Sequence, residues 1–77
     1  MANALAILSA ARATPHDVVR SVIYVVSGDS AVLASAWDHL NASRLAPAFA
    51  TASTLLGVTA LGYAGQLIEI DLTASLP

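Results

Sequence analysis

Cysteine is absent from these 77 residues, and so is lysine. Without cysteine neither a disulfide nor a thiolate metal site can be built. The two histidines, His16 and His39, stand far apart and show no ligand-like spacing, so no metal and no cofactor is expected. Arg12, Arg20 and Arg44 are the only cations, set against five carboxylates for a net charge of −2. Three scattered arginines make no basic patch, which argues against phosphate-led nucleic-acid binding. Charge is scarce altogether: 10% of the residues carry one, while 57% are hydrophobic.

That apolar excess matters because the chain is short. A domain of this size buries only about 60% of the surface its unfolded form exposes. Small domains therefore lean on disulfides, metals or oligomerisation. With the first two removed, oligomerisation remains, and part of the apolar surface is expected to meet another copy or another chain. The residues 1–77 read as one domain.

One uncharged run stretches from Leu45 to Ile68. A transmembrane helix needs about 20 apolar residues, so a span has to be considered. Pro47, Gly57, Gly62, Gly65, Gln66 and five hydroxyl residues oppose it, and no Lys or Arg cluster flanks the run to set an orientation. No membrane association is expected. The N-terminus, MANALAILSAARA, is apolar but lacks a basic n-region, and Arg12 falls where a cleavage region would lie.

Periodicity supplies the elements. Ala4, Leu5, Ile7, Leu8 and Ala11 at helical spacing predict a helix over 3–13. Thr14-Pro15-His16-Asp17 predicts one short helical turn, with Thr14 as cap and proline in the first helical position. VVRSVIYVV, residues 18–26, predicts a strand with two largely apolar faces: Val18, Arg20, Val22, Tyr24 and Val26 on one, Val19, Ser21, Ile23 and Val25 on the other. Such a strand suits cover on both sides. Ser27-Gly28-Asp29-Ser30 is a capped turn into a second helix over 30–42, with Val32, Leu33, Ala36, Trp37 and Leu40 as its apolar stripe. Leu45-Ala46-Pro47 reads as the closing connection. Strands follow over 53–61 and 66–73, joined by Gly62-Tyr63-Ala64-Gly65 as a short hairpin loop. In the last strand Ile68, Ile70 and Leu72 alternate with Leu67, Glu69 and Asp71, the pattern of a half-buried strand. The expected fold class is α+β: helix, strand, helix, strand, strand, with two helices on one face of a three-stranded sheet. Glu69, Asp71 and Arg20 fall on the other face, which needs a partner. Trp37 is expected in packing, and both histidines in solvent.

The stretches NALAILSAARATPHDVVRSVIYVV, LASAWDHL, TASTLLGVTAL and LIEIDLTA, in that order, resemble the C-terminal two-thirds of the Rid family. This RidA-like family is also called YjgF, and many members carry the label endoribonuclease L-PSP. The resemblance covers nearly the whole chain. It implies a chorismate-mutase-like subunit, a homotrimer with sheets facing the axis, and clefts between subunits that take a small-molecule metabolite. It also implies hydrolysis of enamines and imines to 2-keto acids and ammonia, in a cytoplasmic protein. An RNase role would rest on the label alone, because no basic groove supports it.

Two departures qualify the resemblance. Family members have further strands before the first helix, so N-terminal strands are expected to be missing. In the deaminating branch a Pro-Ala-Arg motif follows the second helix, and its arginine holds the substrate carboxylate. TASTLLGV aligns Thr51 with that proline, Ser53 with the arginine and Leu55 with a position where some members carry cysteine. Serine offers one hydrogen bond and neither a charge nor a bidentate fork. The resemblance retains Glu69 as a water-positioning carboxylate. Substrate contacts are expected at Ser53, Leu55 and Gly57, the last through close backbone approach. Three readings follow: an imine deaminase, a binding protein of altered specificity, and a structural or interaction subunit.

Overall fold

The structure is a computed structural model that describes residues 2–76. Five main elements run in the order α1 (Ala2–Ala10), β1 (Val18–Val26), α2 (Ser30–Asn41), β2 (Ala52–Val58) and β3 (Ile68–Ala74), with 3₁₀ turns at Pro15–Asp17 and Ala46–Phe49. The fold is the small α+β arrangement expected, a mixed three-stranded sheet with two helices.

Helix α1 stops three residues before its periodic pattern does. Arg12 adopts a left-handed conformation at φ 62°, the Arg12 N–H donates to the Ser9 carbonyl and the Ala13 N–H to the Leu8 carbonyl. This is the Schellman closure, made here with arginine where glycine is usual. It folds Ala13 back against Leu8, and both are buried. The following turn is held as anticipated: the Asp17 carboxylate accepts from the Thr14 N–H at 2.8 Å and from its hydroxyl at 3.2 Å. At α2, Asp29 is the cap and accepts from the Ala31 N–H at 2.9 Å. Leu33, Ala36, Trp37 and Leu40 turn inward, whereas Val32, expected in that stripe, lies at its edge in solvent.

The sheet order is β2-β1-β3. Strands β1 and β2 are parallel, joined by α2 as a crossover, and β3 runs antiparallel to β1. The expected hairpin between the last two strands is therefore not formed. Residues 59–67 carry the chain past the end of β1 instead, and Gly65, at φ 80°, supplies a turn that a side chain would strain. Strand β1 has both backbone edges paired, and on the face away from the helices its Val22 is still buried and Tyr24 half-buried between the flanking strands.

A bulge corrects the faces of β1. Val18 pairs with Ala74 and Arg20 with Thr73, so Val19 is the extra residue. The alternation slips there by one. Val18 turns into the core at 1% exposure, while Val19 is 51% exposed, the reverse of plain alternation. Beneath the helices the core gathers Leu8, Ala13, Val18, Ile23, Val25, Leu40, Leu45, Ala48 and Phe49. Leu45 comes from the segment expected to be a connection, and Ala48 and Phe49 from the stretch after it to which no element was assigned. The Ala46–Phe49 turn works as a plug, with the Phe49 ring centroid 5.9 Å from that of Trp37 and tilted by 60°.

Candidate functional site

The parallel register puts Ser53 beside Ser21, Leu55 beside Ile23 and Gly57 beside Val25. All three β2 residues therefore share the sheet face that the helices cover. Ser21 is fully buried. Its hydroxyl lies 2.6 Å from that of Ser53, and the Ser53 hydroxyl donates to the Phe49 carbonyl at 3.2 Å. A serine has one hydroxyl hydrogen, so Ser53 gives its own to Phe49 and receives one from Ser21. The Ser53 hydroxyl thus has two partners inside the chain. Leu55 packs against the core.

Gly57 does make a close approach, and that approach is internal. A Cβ at this position would stand 2.3 Å from the Ser27 carbonyl oxygen and 3.3 Å from a Leu33 methyl. The glycine lets β2 slide under the turn that leads into α2.

Glu69 lies on the opposite face. It pairs across β3 and β1 with Tyr24, which pairs on its other side with Leu56. The adjacent row is Thr54, Val22 and Asp71, and the next is Ala52, Arg20 and Thr73. Arg20 is therefore one row from Asp71 and two from Glu69, about 13 Å along the strand at the usual rise. Glu69, Asp71 and Arg20 are all exposed, Tyr24 is half-buried, and Val22 is buried. This open face has an apolar middle and charges of both signs along one side.

Within a single chain, then, the predicted site residues fall into two groups: Ser53, Leu55 and Gly57 under the helices, and Glu69 on the open face. Alternation placed Ser21 correctly with Ile23 and Val25. What it could not supply was the parallel register that joins Ser21 to Ser53. His16 and His39 are exposed, and the His39 ring Nδ1 lies 2.8 Å from the Ser35 carbonyl. Among the described residues no three His, Asp or Glu side chains gather as metal ligands. Nor is any helix among them long and apolar enough to cross a membrane.

A separate groove of about 310 Å³ runs between α1 and β3, lined by Ile7, Leu8, Ile70, Asp71 and Leu72. It borders Asp71 and lies away from Ser53.

No family model and no curated protein matches the chain. Two solved structures do. One is YyfB from Yersinia pestis, a protein of unknown function of the conserved Rid family. It is 37% identical with a TM-score of 0.78, over 97% of this chain and 56% of that one. The other is Rv2704 from Mycobacterium tuberculosis, of the YjgF/YER057c/UK114 family, 32% identical with a TM-score of 0.69, over 97% of this chain and 60% of that one. The chain thus spans less than two-thirds of the length of either.

Proposed function

From Rid-family membership, which both solved neighbours support, we propose that this chain is a Rid-type subunit that binds a small imine or enamine metabolite between copies of itself, without the family's carboxylate clamp. The observation that carries this reading is the separation of Ser53 from Glu69 on opposite faces of the sheet, with the Ser53 hydroxyl already engaged by Ser21 and Phe49. One chain by itself does not assemble the two halves of the site. A cleft between subunits of a homotrimer brings the open face of one copy, with Glu69, against the edge of the next.

In such a cleft Glu69 acts on water. Its carboxylate takes a proton as the water oxygen attacks the carbon of the protonated C=N bond, which leaves a neutral carbinolamine. Glu69 returns that proton to the carbinolamine nitrogen, the C–N bond breaks as ammonia leaves, and the hydroxyl proton passes to solvent to leave a carbonyl product. No cation at position 53 selects for a carboxylate beside the imine. Specificity shifts toward imines that lack one, and release of 2-keto acids is weak. The exposed apolar residues Leu56, Tyr63 and Leu67 also support a second reading, a subunit whose role is association alone.

The test has three parts. Light scattering on a size-exclusion column gives the solution mass, expected at three chains. Imines generated in situ, with and without a carboxylate, are followed for carbonyl product. Glu69→Gln is expected to cut turnover by about 10²–10⁴-fold, the usual contribution of a positioned base. Glu69 is exposed, so the fold should tolerate the change. A trimer that is stabilised by imine analogues and yields no product would leave binding and remove hydrolysis. A monomer that ignores both imines would sink the proposal.

A further inference from the structure

Of the four aromatic residues, Tyr24 alone stands on the open face. Trp37 and Phe49 pack together on the helix side, and Tyr63 lies in the 59–67 segment. Tyr24 belongs to the central strand, so both of its cross-strand neighbours, Leu56 and Glu69, are set within this chain. Nothing beyond the outer edges of the sheet is needed to place it. The Val26 N–H donates to the Leu67 carbonyl at 2.9 Å, which marks that row of the β1–β3 ladder as hydrogen-bonded. Such rows recur at every second residue, so Tyr24 and Glu69 form the next one, with Cα atoms about 5.5 Å apart and both side chains on one face. Along β1 the same face continues as Val22, buried, and Val26, half-buried. Leu56, 45% exposed, flanks Tyr24 on its other side. The cation Arg20 is two rows away, and no positive charge stands in the rows next to Tyr24.

Given the imine chemistry proposed for Glu69, on which this step rests, we infer that Tyr24 is the substrate contact that selects a protonated, cationic imine with an apolar substituent. The planar C=N⁺ group lies against the Tyr24 ring beside Glu69, and the substituent lies over Leu56 and Val26. The face of an aromatic ring attracts a cation, and a neighbouring carboxylate adds to the attraction. An imine that carries its own carboxylate meets Glu69 here and, one row on, Asp71, so like charges oppose it. Attack by water turns the cation into a neutral carbinolamine, and its attraction to the ring ends. The ring therefore contributes to holding the substrate and not to the chemical step. Loss of such a contact raises KM and leaves kcat in place, whereas loss of the base at Glu69 lowers kcat.

The probe is N-methylpyridinium, a planar C=N⁺ cation that does not hydrolyse, with toluene as the neutral molecule of the same shape. Each is titrated into the 77-residue chain and read by backbone NMR. The expected result is saturable binding of the cation, with shifts at Val22–Val26 and Ile68–Ile70, and binding of toluene weaker by about fivefold or more. Tyr24→Phe should keep the affinity for the cation, and Tyr24→Leu should weaken it about fivefold. Tyr24→Thr, a second non-aromatic change that a strand accepts, should match Tyr24→Leu. With a carboxylate-free imine as substrate, Tyr24→Leu should raise KM by a similar factor at unchanged kcat and unchanged solution mass. Binding of the cation at Tyr24 without turnover of any imine would remove hydrolysis and leave the ring contact standing. Turnover with KM untouched by both non-aromatic variants would do the reverse. Equal binding of N-methylpyridinium and toluene, or equal affinity in the native chain and both variants, would overturn the inference.

Discussion

On the helix side of the sheet, Val18, Ile23 and Val25 lie buried with Leu40, Leu45, Ala48 and Phe49, and even its polar member, Ser21, is sealed and hydrogen-bonded. On the other side, one residue along the same strand, Tyr24 is half-buried, its neighbour Leu56 is 45% exposed, and Glu69 and Asp71 reach solvent. Both faces are apolar enough in sequence to pass for core. They differ in what the rest of the chain brings to them. Two helices and the Ala46–Phe49 plug all arrive on one side. Stability is therefore expected to reside almost wholly on the helix side, and association on the open side.

That division can be broken most directly at the plug. Phe49→Ala removes a buried ring and its contact with Trp37, and is expected to cost about 3–5 kcal/mol in urea unfolding, a large part of the stability of so small a domain. A loss below about 1 kcal/mol would mean that the helix side is not the stabilising face. Next comes Gly57→Ala. The added methyl meets the Ser27 carbonyl, and forcing strand and turn apart should cost about 1–3 kcal/mol, whereas Gly62→Ala, with open space around it, should be nearly neutral. If the two alanines behave alike, β2 does not pass so close beneath the turn.

Ser21→Ala sharpens the contrast on a finer scale. It takes from Ser53 one of its two hydrogen-bond partners and is expected to cost about 1 kcal/mol, against less than about 0.5 kcal/mol for Thr54→Ala, the neighbouring open-face position. Equal losses in thermal unfolding would show that the buried hydroxyl pair contributes nothing special. The smallest stability effect is expected from Leu56→Ser, within about 0.5 kcal/mol for the isolated chain. The same change should lower the solution mass, read by light scattering, if the open face is the one that associates. An unaltered mass would direct attention to the sheet edges.

Much of the local structure was legible beforehand. The Thr14–Asp17 turn, both helices, three strands and the alternation in β3 follow from short-range patterns, and the structure contains all of them. Shifts at the ends have local causes: α1 closes at Ala10 because Arg12 accepts a left-handed conformation, which a search for glycine would overlook. The bulge at Val19 was hidden for a similar reason. Val18 and Val19 are the same residue type, so nothing in composition says which of them faces inward. Leu45 passed for part of a connection, and Ala48 and Phe49 were assigned to no element, because a 3₁₀ turn is too short to show a period. For the candidate site, the residue types and their order could be read, but not their grouping. Ser53 and Glu69 looked like members of one constellation, yet the register sets them on opposite faces.

What the sequence determined by itself was the inventory: which segments become helices and strands, where the Thr14 cap lies, and which strand is apolar on both faces. These depend on neighbours a few residues away, whose spacing any reader can count. The tertiary structure alone decided that β2 runs parallel to β1 and β3 antiparallel on its far side, and that the apparent hairpin crosses over a strand. It also decided that Ser53 meets Ser21 while Glu69 meets Tyr24. Each of these is a pairing between residues distant in the chain. Many registers satisfy the same alternation, and only burial of the helix side as a whole selects among them.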